Sequence, residues 1–179
     1  MKYKNIEFEA IVATPGVGKS YLCDNYPDKF IDVDEMRLKI KYFVPENITR
    51  LELEQTKGDR HFPRRLKGEE YLNELHKAIL KEYANGKILI CSPHPEIVDF
   101  LVKSNIKFCF VFQSRDAEDE LIKRMELRGN SPKFIKENCE IFEKYYEQNI
   151  NENKSSVKYE FSKGEYLENI IREKFGLEF

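Results

Sequence analysis

Residues 13–20 read Ala13-Thr14-Pro15-Gly16-Val17-Gly18-Lys19-Ser20, and this octapeptide restricts the fold more than any other stretch of the chain. It follows the pattern of a loop that wraps phosphate, with Ala13 in the place of the usual first glycine. Gly16 and Gly18 let the backbone turn its N–H groups inward around an anion, and a Cβ at either position obstructs that turn. Lys19 supplies a point charge to phosphate oxygens, and the Ser20 hydroxyl suits Mg²⁺. A helix starting here aims the positive end of its dipole at the same anion. The flanks agree. Phe8–Ala13 is a short, mostly apolar run of the kind buried strands show, and Ser20–Tyr26 can form a short helix that stops before Pro27. Thr14, Pro15, Gly16, Val17, Gly18, Lys19, Ser20 and Tyr21 are therefore expected to line a nucleoside triphosphate. The dinucleotide fingerprint fits worse, because Tyr21 stands where its third glycine belongs.

Apolar runs alternate with amphipathic segments along the rest of the chain, the pattern of an α/β fold with a parallel sheet. Strands are expected at 7–13, 29–33, 87–91, 107–112 and 158–161. Helices are expected at about 19–26, 35–43, 69–84, 96–104, 116–128, 132–149 and 164–174. Gly86 reads as a helix stop, and Ser131-Pro132 as an N-cap followed by proline at the first helical position. Asp116 and the acidic run Glu118-Asp119-Glu120 suit a helix N-terminus. Tyr145 and Tyr146, at helical spacing with Ile141 and Phe142, read as core. The 179 residues, 41% hydrophobic and 35% charged, suit one domain with a real core. A net charge of −2 gives no global pull toward nucleic acid or anionic membrane. No apolar run approaches a membrane span, no signal-peptide core precedes the loop, and the four cysteines form no Cys-x-x-Cys pair. A cytoplasmic protein with reduced cysteines is expected.

Beyond the loop, three groups of residues carry chemistry. Asp32 and Asp34 end the second strand, where period-2 spacing would point both carboxylates the same way beside the phosphate loop. One would organise Mg²⁺ together with Ser20, and the other would orient or deprotonate an acceptor hydroxyl. The bland alternative is that Asp34 merely caps the next helix. Arg124 and Arg128 share one face of a helix and suit phosphoryl oxygens as charge moves, the bland alternative being a solvated face paired with Glu120 and Glu126. The turn Gly129-Asn130-Ser131-Pro132 after them suits a hinged flap. Arg37, Arg64, Arg65 and His94 are candidates for binding an acceptor, against the alternatives of an exposed basic loop and a local hydrogen-bonding histidine.

Together these segments resemble the nucleoside and nucleotide kinase group of phosphate-loop proteins, and in particular its small bacteriophage-type members. Residues 120–129, Glu-Leu-Ile-Lys-Arg-Met-Glu-Leu-Arg-Gly, look like the lid segment of adenylate-kinase-like enzymes. Ser162-Lys163-Gly164 looks like their adenine-contacting loop, which implies nucleotide contacts for Lys163 and Gly164. Asp34-Glu35-Met36-Arg37 is similar to the segment whose arginine holds a monophosphate. The resemblance implies a three-layer fold with a five-stranded parallel sheet in order 2-3-1-4-5. It also implies a single domain over 1–179, with a helical acceptor-binding excursion at about 45–85 and a lid at about 116–132. Two features depart from the adenylate-kinase pattern. Asp32-Val33-Asp34 is closer to kinases acting on hydroxyls, such as shikimate, gluconate and polynucleotide kinases. The Gly-Phe-Pro-Arg acceptor motif expected after the third strand is replaced by Ser92-Pro93-His94-Pro95.

The sequence thus leads to ATP- and Mg²⁺-dependent phosphoryl transfer to a nucleoside monophosphate, including deoxynucleotides. Lys19, Asp32, Asp34, Arg124 and Arg128 would carry the transfer, with Ser20, Asp32 and Asp34 around the metal. A hydroxyl acceptor (a nucleoside, a small metabolite or a polynucleotide end) is the first alternative. A nucleotide-dependent switch with slow ATP hydrolysis is the second. Small-molecule nucleotides are the expected partners, without membrane, and the expected assembly is a monomer or homodimer.

Overall fold

The computed structural model describes residues 8–49, 52–53, 62–140 and 157–176. Five strands form one parallel sheet: β1 (Ala10–Ala13), β2 (Phe30–Asp32), β3 (Ile88–Cys91), β4 (Phe108–Gln113) and β5 (Val157–Phe161). Their spatial order is β2-β3-β1-β4-β5, as expected. The helices are α1 (Lys19–Asn25), α2 (Val33–Lys41), α3 (Gly68–Ala84), α4 (Pro95–Lys103), α5 (Glu118–Leu127) and α6 (Leu167–Phe175), with a further helical stretch at 132–140.

The sheet is covered on both faces, which is why its central strands read as unbroken apolar runs rather than as alternations. Side chains still alternate between faces along each strand. On one face Ala10, Val12, Leu89, Cys91, Phe108, Phe110 and Phe112 pack with Leu75 and Ile79 of α3 and Ile97 and Leu101 of α4. On the other, Ile11, Ala13, Ile90, Cys109 and Val111 meet Leu22 of α1 and Leu167, Ile170 and Ile171 of α6. Burying a leucine or isoleucine fully is worth roughly 1.5–3 kcal/mol, so these two layers supply most of the driving force. Cys91 and Cys109, which sit in the apolar runs of β3 and β4, are buried and in no disulfide.

Several boundaries follow the expected local chemistry. Gly86 leaves α3 with φ 79°, a left-handed value that suits glycine, and its N–H bonds Tyr83 O at 2.9 Å. Ser131 Oγ accepts from Phe134 N at 3.2 Å, the N-cap bond read from Ser131-Pro132. Two expectations change. A short 3₁₀ turn, Arg115–Ala117, comes before α5, so that helix starts two residues later than Asp116. The stretch read as an excursion at 45–85 is half sheet cover, because α3 places Leu75 and Ile79 in the core with no exposure. The helix expectation for 141–149, with Tyr145 and Tyr146, lies outside the described residues. Among the described residues no helix is long and apolar enough to cross a membrane.

Candidate functional site

In an open parallel sheet the carboxyl ends of the strands face the ligand cleft, and here three of them bring the expected residues together. β1 runs into the phosphate loop. Gly16 and Gly18 take φ 84° and 102°, values disfavoured for residues with a Cβ, and Gly18 caps α1. Gly16 also faces close packing, since a Cβ there would lie 2.0 Å from Leu121 Cδ1 of α5. Lys19 Nζ donates to Ala13 O at 2.9 Å and Thr14 O at 3.0 Å, holding its charge inside the loop's own curve. Thr14, Val17 and Lys19 are buried, Ser20 and Pro15 are partly exposed, and Tyr21 is exposed.

β2 ends at Asp32, and the helix begins at once. Asp32, not Asp34, caps α2 by accepting from Glu35 N at 3.0 Å. The capping alternative read for Asp34 is corrected: the strand stops at Asp32 and the cap falls there. Asp34 lies in the first turn of α2, not on a strand. The expectation that period-2 spacing aligns the two carboxylates is therefore corrected, because the extended backbone stops between them. Asp34 turns instead to the end of β3. Its oxygens accept from Ser92 N at 3.1 Å and from Ser92 Oγ at 2.6 Å. Burial opposes ionisation of Asp34, but the Lys19 ammonium and the Ser92 hydrogen bonds outweigh it and hold the carboxyl below its usual 3.8. It is a carboxylate at neutral pH, suited to orienting a hydroxyl more than to taking its proton.

His94 caps α4 and places Nε2 3.9 Å from Asp34 Oδ1. Burial and the Arg37 guanidinium push the imidazole down to about 4, so the two do not form an ion pair at pH 7. Arg37, on α2, donates from Nη1 to Glu96 Oε1 at 3.1 Å. Tyr71 of α3, 5% exposed, lies in the field of Arg37, Glu96, Tyr42 and Asp34, and burial pushes its phenol up to about 12. The sequence reading missed Ser92, Tyr71 and Glu96. Ser92 alone left a signal, as a polar residue ending a strand. Arg64 and Arg65 are exposed; their backbone is tied to the end of α2 through a Tyr42–Arg64 bridge and an Arg65 N to Lys41 O bond of 3.0 Å.

Arg124 and Arg128 part company. Arg124 is pulled into the wall between the loop and the turn after β5. It donates to Glu165 O at 3.2 and 3.3 Å and to Gly16 O at 3.5 Å, pairs with Glu120, and covers the Tyr166 ring at 3.8 Å. Glu120 in turn accepts from Gly164 N at 2.7 Å. Leu167 N donates to Val17 O at 2.8 Å, which ties α6 to the loop as well. Arg128 is exposed at the end of α5, and Lys163 is exposed in the turn. The shared face read from i, i+4 spacing is thus split by depth: one arginine is structural cement and the other is open to solvent.

A hard cation fits the donor set Ser20, Asp32 and Asp34, which is all oxygen. Among the described residues no three His, Cys, Asp or Glu side chains could hold a metal unaided. Magnesium would accordingly rest on nucleotide phosphates with one or two protein oxygens, as it usually does.

No protein-family model and no curated protein matches the chain. Among solved structures it is similar to a gluconokinase from Sinorhizobium meliloti 1021, at 17% identity and a TM-score of 0.49, over 93% of this chain and 88% of that one. A tunicamycin resistance protein from Deinococcus radiodurans follows at 10% identity and 0.44, over 84% and 83%. A protein from Eubacterium ventriosum ATCC 27560 gives 13% and 0.42, over 86% and 87%.

Proposed function

We propose that this chain is an ATP- and Mg²⁺-dependent kinase that passes the terminal phosphoryl group to a hydroxyl of a small acceptor held at Asp34. The observation that carries this reading is the placement of Asp34. It is an ionised carboxylate, fixed to Ser92 at the end of β3 and in the field of the phosphate-loop lysine. A carboxylate so placed accepts a hydrogen bond from an acceptor hydroxyl, which orients it, and repels a second phosphate. Lys19 and the loop N–H groups hold the donor phosphates, and Arg128 is the arginine open enough to follow the migrating group. Magnesium, when bound through Ser20 and Asp32, neutralises charge on the donor phosphates. The protein's share of catalysis is then positioning and electrostatic stabilisation, with no covalent bond to the enzyme.

A second reading keeps a nucleoside monophosphate as acceptor. It is favoured by Arg37 and by the exposed Arg64 and Arg65, whose backbone is pinned beside the end of α2. Against it, Arg37 is already paired with Glu96. The experiment that separates the two is ATP consumption with a panel of nucleosides, sugars and nucleoside monophosphates, the products being resolved by chromatography. The hydroxyl reading expects a phosphorylated nucleoside or sugar. A nucleoside diphosphate as the sole product establishes the second reading, and free phosphate alone defeats both.

A further inference from the structure

A trans peptide is planar, so the carbonyl of one residue and the N–H of the next point in opposite directions. Whatever grips a loop carbonyl therefore also aims the N–H that follows it. The phosphate loop is gripped in this way on two consecutive peptides. Gly16 O accepts from Arg124 Nη1 of α5 at 3.5 Å, and Val17 O accepts from Leu167 N of α6 at 2.8 Å. The N–H groups on the far side of those peptides belong to Val17 and Gly18. They donate to no acceptor among the described residues. Unpaired main-chain N–H groups turned to one side of a glycine loop are the elements of an anion cradle.

The grip of Leu167 is part of the fold, since it is a main-chain bond at the start of a helix. The grip of Arg124 depends on one side chain. Its bond to Gly16 O is long, but the donor is held firmly where it is. The same guanidinium donates to Glu165 O at 3.2 and 3.3 Å, pairs with Glu120, and lies 3.8 Å from the Tyr166 ring centroid. The Arg124 side chain is only 10% exposed, so its charge acts on the Gly16 carbonyl with little screening by water. One turn earlier on the same helix, Leu121 closes on Gly16 so tightly that a Cβ there would lie 2.0 Å from its Cδ1. Glycine is the residue whose peptide turns most easily, and here α5 both crowds it and holds its carbonyl.

We infer that Arg124 is a positioning residue for the donor site: from α5 it holds the Gly16 carbonyl outward and thereby keeps the Val17 N–H turned toward the donor phosphates. The inference rests on the donor half of the kinase reading and adds to it what sets the loop's affinity. It also gives Arg124 a task different from the one read from the sequence, contact with the migrating phosphoryl group. Its guanidinium is spent on two carbonyls and a carboxylate. Without it, the Gly16–Val17 peptide samples several orientations, and the entering anion bears the cost of ordering it.

The test measures binding, on the whole chain, and not turnover. Wild type, Arg124→Ala and Arg124→Met are titrated by calorimetry with ATP and with tripolyphosphate, each in the presence of Mg²⁺. Tripolyphosphate has no base or sugar and reports on the loop alone. Methionine keeps a long stem over Tyr166 and loses the donors, so it serves where the alanine variant does not fold. Ile79→Val, a core change on the other face of the sheet, is the control for lost stability. The expected result is a Kd raised about tenfold for both ligands in the arginine variants, and unchanged in Ile79→Val. Wild-type Kd values in a folded arginine variant, with only the melting temperature lowered, mean a purely structural role and overturn the inference. Loss of ATP affinity with tripolyphosphate affinity kept places Arg124 at the nucleoside and overturns it too. So does a wild type that binds ATP but not tripolyphosphate. If wild type binds neither ligand, the donor reading fails and the inference falls with it.

Discussion

Residues 13–20 form the phosphate loop as one continuous stretch, whereas the groups around Asp34 come from Arg37 on α2, Tyr71 on α3, and Ser92, His94 and Glu96 at the end of β3 and the start of α4. The donor side is closed by its own main chain. Lys19 bonds the loop carbonyls, Arg124 bonds Glu165 O, and Leu167 N bonds Val17 O. The region around Asp34, the acceptor side in the proposed reading, is held by side-chain pairs and keeps polar atoms unspent. A loop that binds a constant group, phosphate, can be written into local backbone geometry. A site that distinguishes acceptors, as proposed for the groups around Asp34, needs side chains, and the fold gathers these from distant parts of the chain.

Removing Lys19 should have the largest effect. Lys19→Ala is expected to lower turnover by a factor on the order of 10³ with the fold kept, at a stability cost of about 1–3 kcal/mol because the Ala13 and Thr14 carbonyls lose their donor. Near-normal turnover in that variant would break the assignment of the donor side.

Asp34→Asn comes next. It keeps a similar shape at Ser92 but loses the negative charge, so turnover should fall roughly 10²-fold while the dissociation constant for ATP stays within a few-fold. Equal losses in ATP binding and turnover would move Asp34 to the donor side and erase the contrast between the two regions.

The arginine pair sharpens the same contrast. Arg124→Ala should destabilise the protein by about 1–3 kcal/mol, because it leaves the Glu120 carboxylate and the Glu165 carbonyl short of a donor. Arg128→Ala should change stability by less than about 0.5 kcal/mol, as exposed substitutions do, yet slow transfer with ATP binding retained. Denaturant titrations and single-turnover assays on both variants check this. A reversed pattern would return Arg128 to a solvated face.

The last expected effect is on stability and not on turnover, in its pH dependence. The His94 value falls from 6.5 to about 4 on folding, so between those values the unfolded chain holds a proton that the folded one does not. Stability should therefore decline as pH falls from 6.5 toward 4, and His94→Gln should flatten that slope. Asp34 acts in a lower window. Its folded value lies below 3.8, so its contribution is complete above 3.8 and is lost as pH falls through that folded value. Equal slopes for variant and wild type between 6.5 and 4 would place the imidazole in solvent.

The phosphate loop was legible because its physics is local: glycines at the turning points, a lysine and a serine at fixed offsets, and a strand and helix on either side. The sheet order came from the resemblance, and the strands themselves from apolar runs covered on both faces. Asp32 and Asp34 were legible as a pair but not as to their roles. Whether a strand stops at Asp32 or continues to Asp34 depends on the Glu35 N–H finding a cap, a one-residue choice that propensity does not settle. Tyr71 was not legible at all. On an amphipathic helix it looks like another core residue, and only the stranded hydroxyl sets it apart. Arg124 misled for a related reason, since helical spacing gives a shared face but not its depth.

The most direct test is ³¹P NMR of wild-type protein incubated with ATP, Mg²⁺ and the acceptor panel, with Asp34→Asn as the control. The account predicts a new phosphomonoester resonance from a hydroxyl acceptor, stoichiometric with ADP and nearly absent in the variant. Inorganic phosphate alone, or a nucleoside diphosphate formed from a monophosphate, would contradict it.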